Sequence, residues 1–163
     1  LSTVKKPEMA KYQEELKAVG DMLTQCTFAH SWSFAVLIED MKDLINTATG
    51  QNFTSEELLK AGARVCHLER AYWNRLLVGR LEDKNPKRFT EEPMPEGPNK
   101  GSLFPEKEVL PKYYEVRGWD PETGFPTSET LKEHGLEYVD KDLKTYREQY
   151  RKKIAKEEKK GER

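Results

Sequence analysis

The chain has 163 residues, 35% of them charged and 36% hydrophobic, with a formal net charge of −1 and a mean hydropathy of −0.90. That is enough for one domain of ordinary size or a piece of a larger protein. No apolar run approaches the roughly 20 residues needed to span a bilayer, and the even charge balance argues against nucleic acid, whose binders carry a net basic field. Two cysteines, Cys26 and Cys66, are too few for a disulfide framework and fit a reducing, cytoplasmic compartment. The chain starts at Leu1 with no signal-peptide pattern, as a processed or excised segment does.

The first 79 residues read as helical. Pro7 sits where helices like to begin, and Met9, Tyr12, Leu16, Val19 and Leu23 recur at helical spacing through Glu8–Leu23. The run Trp32–Ala48 places Phe34, Leu37, Ile38, Met41, Leu44, Ile45 and Ala48 on one stripe, with Gly50 as its stop. A third helix has the clearest start: Thr54 as cap and Glu57 three residues on form a capping box, with Phe53 and Leu58 placed as a hydrophobic staple. It is expected to run through Leu59, Gly62, Val65, Cys66, Tyr72, Trp73 and Leu76 to about Gly79, with Cys66 on its apolar face. Glu69 and Arg70 lie inside it as a buried or interfacial charged pair.

Residues 80–107 break the pattern. Pro86, Pro93, Pro95, Pro98 and Pro105, with Gly97 and Gly101, forbid a long helix or a central strand. Phe89, Met94, Leu103 and Phe104 would anchor such a segment as an ordered wrap over a surface. Over 108–139 short helices resume. Leu110, Tyr113, Tyr114 and Arg117 fall at i, i+3, i+4 and i+7 before Gly118, Trp119–Gly124 reads as a turn, and a helix from Pro126–Glu129 stops at Gly135. Residues 140–163 form a Lys/Glu-rich solvated terminal helix with Leu143, Tyr146, Tyr150 and Ile154 on a thin stripe. The sum is a mainly α, irregular helical domain with a long Pro-rich wrapping segment, part of a larger multidomain protein.

Among motifs with chemistry, no nucleophile elbow, P-loop or dinucleotide glycine pattern is present. Cys26, His30, Cys66 and His67 make a nominal zinc set, but adjacent helical residues point about 100° apart and no closely spaced cysteine pair exists. Cys66 reads as a core thiol. Asp21-Met22-Leu23-Thr24-Gln25-Cys26 is the more informative stretch. A carboxylate at a helix end accepts hydrogen bonds only, and a thiolate is a soft metal ligand.

Six further pieces, in order, resemble one family: Asn46–Gly50, Thr54–Leu59, Ala63–Arg70, Pro86–Phe89 with Glu92–Pro98, Tyr113–Asp120, and Pro126-Thr127 with Leu131 and His134–Leu136. Over Leu44–Leu136 the chain is similar to the C-terminal domain of the tungsten-containing aldehyde ferredoxin oxidoreductases. In that family a motif Asp-x-x-Gly-Leu-Cys lies upstream, its Asp hydrogen-bonding a pterin and its Cys supplying the fourth ligand of a [4Fe–4S] cluster. The resemblance carries these roles onto Asp21 and Cys26, with Gln25 beside them at the cofactor edge. The chain differs at Thr24-Gln25, where the family has Gly-Leu, and at Leu81–Asn85. Glycine at the first position is read as allowing close backbone approach to the cofactor.

The resemblance implies a tungstopterin (or molybdopterin) and a [4Fe–4S] cluster shared with N-terminal and middle domains. It also implies aldehyde oxidation to a carboxylate, and ferredoxin or an electron-transfer subunit as acceptor, with no activity in this piece alone. His30 is either near the cofactor or substrate tunnel or a helix-start histidine bonded locally. The rival class is a non-catalytic helical interaction module docking through the Pro-rich segment and Tyr113, Tyr114, Tyr146 and Tyr150.

Overall fold

The computed structural model describes residues 5–32 and 35–161. Its helices are α1 (Lys6–Met22), α2 (Ile38–Thr49), α3 (Ser55–Arg75), α4 (Lys87–Thr90), α5 (Glu106–Arg117), α6 (Ser128–Glu133) and α7 (Glu137–Gly161), with a single π-helical turn at Phe28–Trp32. Among the described residues no strand forms; Trp119 and Pro126 make one isolated antiparallel bridge. The mainly helical reading therefore holds.

The 21-residue α3 is the spine, about 30 Å long at 1.5 Å per residue. It starts as the sequence demands: Thr54 Oγ1 accepts from the Glu57 N–H (3.1 Å) while the Glu57 carboxylate accepts from the Thr54 N–H (2.8 Å). Helix α1 crosses it and also meets α5; α2 lies on its first half and α7 on its second. Gly62 marks the closest approach of α1 and α3, where any Cβ would collide with the Glu15 carbonyl.

Each half of α3 has its own apolar cluster. Leu16, Val19, Ile38, Met41 and Leu58 pack at one end, with Leu23, Val36, Ile45 and Leu59 at the margin. Ala71, Leu131, Leu136, Val139 and Leu143 pack at the other. Complete burial of a leucine or methionine contributes about 1.5–3 kcal/mol. Between the clusters runs a polar layer. The Trp119 indole N–H donates to His67 Nδ1 (3.0 Å); Arg117 pairs with Glu15 (3.2 Å) and Glu14; Arg70 pairs with Asp83 (2.5 Å), which also accepts from Tyr114.

Several expectations change. α2 begins at Ile38 rather than Trp32, because the π turn intervenes and the Asp40 carboxylate takes the Leu37 N–H (2.8 Å) to start the helix afresh. Phe34, expected on its stripe, lies outside the described residues. α3 ends at Arg75, not Gly79, and its buried side is Leu58, Gly62, Ala63, His67, Ala71 and Asn74. Tyr72, Trp73 and Leu76 face outward, because Trp119 and Asn74's bond to the Val78 carbonyl (2.9 Å) let two polar side chains take the interior positions.

The Pro-rich segment is not confirmed as a wrap. Its beginning is pinned: Leu81 N–H donates to the Tyr150 hydroxyl (2.7 Å) and Asn85 donates twice to Glu106 (2.6 and 2.9 Å). Beyond that it bonds to itself, Met94 N–H to Ser102 (3.1 Å), Gly101 N–H to Met94 (2.9 Å) and Phe104 N–H to Phe89 (2.8 Å). Phe89, Met94, Leu103 and Phe104 all stay exposed, so none of the four is an anchor within this chain. Conversely, α7 is more than a solvated tail. Val139, Leu143 and Tyr150 are buried, and the Tyr150 ring lies 5.2 Å from that of Phe125.

Candidate functional site

The segment Asp21–Cys26 closes α1 in a way that its residues dictate. Thr24 adopts the left-handed conformation (φ 56°). Its N–H reaches the Asp21 carbonyl (3.0 Å) and the Gln25 N–H reaches the Gly20 carbonyl (2.9 Å). This pair of bonds is a Schellman closure, whose left-handed residue is most often glycine. The glycine of the family motif therefore has a local backbone explanation, and Thr24 occupies the same conformation at a cost of about 1–2 kcal/mol. Close approach to a cofactor is not needed to account for it.

This turn sends the two expected ligands to neighbouring places. Asp21 is exposed and paired with Lys17 (2.7 Å). It lines an open groove of about 710 Å³ between α1, α3 and α5, together with Met22, Cys66, Glu69, Trp73 and Tyr113. Cys26 is exposed and free on the turn itself, outside that lining. Gln25 is half-buried and its Oε1 is buried without a hydrogen-bond partner. Phe28, two residues past the thiol, is 70% exposed.

Cys66 behaves differently. Burial, with help from the Glu69 and Glu15 carboxylates, pushes its thiol up to about 12, so it stays protonated and inert at neutral pH. It is half-buried on the groove wall rather than sealed in the core. Among the described residues no three His, Cys, Asp or Glu side chains gather as a metal site, so the nominal zinc set is not assembled. His30 is wholly buried and bonded locally, its Nδ1 lying 3.1 Å from the Cys26 carbonyl.

The charged pair expected at Glu69 and Arg70 is resolved otherwise. Glu69 is exposed, and Arg70 forks onto Asp83 (3.0 and 2.5 Å), with Nε donating to the Gly124 carbonyl (2.7 Å). Burial works against the Arg70 cation, but the Asp83 carboxylate outweighs it and holds the pKa above its usual value. Arg117 is buried; desolvation lowers it to about 10, still charged at neutral pH between Glu14 and Glu15. Burial first, and for Tyr114 its bond to Asp83, pushes the Tyr113 and Tyr114 hydroxyls up. The sequence held one signal for this network: Arg117 sits on the same i, i+3, i+4, i+7 stripe as Leu110 and the tyrosines.

Among the described residues no helix is long and apolar enough to cross a membrane. Residues 1–136 match the family model described as aldehyde ferredoxin oxidoreductase, domains 2 & 3. The chain is 42% identical over 133 residues to the tungsten-containing aldehyde ferredoxin oxidoreductase of Pyrococcus horikoshii, covering 81% of this chain and 21% of that one. It is 40% identical over 114 residues to the Thermococcus kodakarensis enzyme of the same name, covering 69% and 18%. A solved structure, the active site complex BamBC of benzoyl coenzyme A reductase with 1,5-dienoyl-CoA, superposes with a TM-score of 0.72 at 28% identity, over 87% of this chain and 21% of that chain. The chain thus spans about a fifth of the length of the relatives it matches. With the family model matched over most of its length, and the same helical fold found in a solved relative, this chain belongs to the aldehyde ferredoxin oxidoreductase family, in the region of its domains 2 and 3.

Proposed function

We propose that this chain is the C-terminal portion of a cytoplasmic tungsten (or molybdenum) pterin iron–sulfur oxidoreductase that oxidises aldehydes to carboxylic acids and delivers the electrons to ferredoxin. In this reading Asp21 accepts hydrogen bonds from pterin N–H groups, with Gln25 beside it, and the Cys26 thiolate is one ligand of a [4Fe–4S] cluster whose other anchors lie on upstream domains. The donor set fits: a carboxylate is acceptor-only, and an exposed thiol on a fixed turn is a suitable iron ligand. The observation that carries the reading is the turn itself, which presents Cys26 to solvent one step from a groove rim that bears Asp21.

When bound, the metal–pterin centre supplies the two-electron redox step and the cluster a one-electron exit. The chain's own residues position those groups. Asp21, its charge balanced by Lys17, would hold the pterin by accepting hydrogen bonds, and Cys26 would supply one thiolate ligand to the cluster. The test is metal analysis of the intact enzyme, purified without oxygen, with and without Cys26→Ala. Iron and tungsten or molybdenum are expected in the parent, and the substitution is expected to abolish or convert the cluster absorption. A parent without these metals leaves a helical interaction module, and an unchanged cluster rejects the ligand role of Cys26.

A further inference from the structure

His30 is wholly buried in a turn where Thr24, Cys26, Thr27 and Phe28 are exposed and Leu23, Gln25 and Ala29 are half-buried. Two features hold it there. Its Nδ1 lies 3.1 Å from the Cys26 carbonyl, and since a carbonyl oxygen only accepts, Nδ1 carries the proton and donates. Its ring rests on Gly20 of α1, where any Cβ would overlap the imidazole. Glycine inside a helix costs about 1 kcal/mol relative to alanine, and Gly20 needs no unusual backbone angle. What it provides is the space for this ring.

The Cys26 carbonyl also accepts from the Ala29 N–H (2.9 Å). Two donors on one oxygen hold the peptide plane that follows Cys26 and so restrain the backbone from which its side chain leaves. Gly20 is tied into the same unit a second time, because its carbonyl takes the Gln25 N–H that closes α1 (2.9 Å). The ring therefore bridges the end of α1 and the residue that carries the thiol. Its remaining nitrogen, Nε2, is buried with no hydrogen-bond partner.

We infer that His30, seated on Gly20, is a positioning residue that pre-orients the Cys26 thiolate toward the iron–sulfur cluster before the rest of the enzyme closes over it. This rests on the reading of Cys26 as a cluster ligand. Hydrogen bonds that aim a ligand typically change metal affinity by about 10–100-fold when lost. The histidine touches neither metal nor substrate; it acts through the backbone of its neighbour.

Three variants of the intact enzyme, purified without oxygen, test this: His30→Leu, which fills the space without a donor; His30→Asn, which keeps an N–H near the Nδ1 position; and Cys26→Ala. The readouts are the electron paramagnetic resonance spectrum of the reduced cluster and the rate of iron loss to a ferrous chelator, alongside the melting temperature. His30→Leu is expected to shift the spectrum and speed iron loss about 10-fold, while His30→Asn restores the parent values. If Cys26→Ala converts the cluster but His30→Leu leaves spectrum and iron loss untouched, or if Asn fails to rescue where Leu has an effect, the positioning role is overturned and the ligand role of Cys26 survives. If Cys26→Ala changes nothing, both fall. Should His30→Leu not fold, nitrogen-15 shifts of the unsubstituted enzyme decide: a proton on Nδ1, shared with the Cys26 carbonyl, is expected, and an Nδ1 without a proton overturns the proposal.

Discussion

Two turns follow two helices in this molecule, and they are finished in opposite ways. After α5, Gly118–Thr127 is sealed. Trp119, Thr123 and Phe125 are buried, Asp120 N–H bonds to Phe125 (2.8 Å) and Gly124 N–H to Asp120 (2.7 Å), and Arg70 holds the Gly124 carbonyl from α3. After α1, residues 23–28 leave Thr24, Cys26 and Phe28 in water and bury a polar oxygen on Gln25 without a partner. Both begin with a left-handed residue, Gly118 (φ 65°) in one and Thr24 (φ 56°) in the other. The first turn is completed by side chains of this chain; the second is built rigidly yet left open. An exposed aromatic ring on an ordered turn is the kind of surface at which proteins meet partners.

The sharpest break in the comparison is on the sealed side. Trp119→Ala removes a large buried ring and leaves His67 Nδ1 without its donor, so stability should fall by about 3–5 kcal/mol in urea denaturation; a loss under 1 kcal/mol would refute the sealed description. Next comes pH. Burial, then the facing His134 and Lys11, depress His67 from 6.5 to about 4 in the folded chain. The unfolded chain thus takes up a proton that the folded one refuses. The His67 contribution is complete above about 6.5 and is lost as pH falls toward 4, in all about 3 kcal/mol. His67→Gln, which keeps an acceptor for the indole, should flatten that part of the stability–pH curve.

The open side should respond weakly. Thr24→Gly relieves the left-handed backbone and should raise stability by about 0.5–1 kcal/mol after the greater freedom of glycine in the unfolded chain is subtracted. A decrease would mean that the Thr24 side chain is held by something in this turn. Smallest of all, Phe28→Ala should change the stability of the isolated chain by less than about 0.5 kcal/mol, since the ring is 70% exposed. A large loss there would show the turn to be closed after all.

The same contrast explains what could be read from the residues alone. Local signals carried well: the Thr54–Glu57 box, Gly50 and Gly118 as helix stops, and the short helix capped by Thr127 all stand where expected. Helix faces carried less well. A face is assigned by apolar side chains, and α3 buries His67 and Asn74 while turning Tyr72, Trp73 and Leu76 outward. Partners distant in sequence were invisible: nothing local in Arg70 announces Asp83 rather than Glu69, and nothing in Tyr150 announces Leu81. At the candidate site, the Asp21–Cys26 spacing was legible through the family motif. The role of Gly20 was not, because only the folded chain shows that His30 needs its space.

The last helix has a practical meaning. The family match ends at residue 136 and α7 begins at Glu137, yet Leu143 and Tyr150 have no solvent exposure. Tyr150 also takes the Leu81 N–H and bonds to Glu82, whose carboxylate is gripped by Lys153. A chain trimmed at the homology boundary would be cut through its own interior, uncovering Phe125 and Leu131 and releasing the strap that leads to Asp83. In this chain the stretch that the family model matches and the stretch that packs as one core end at different residues.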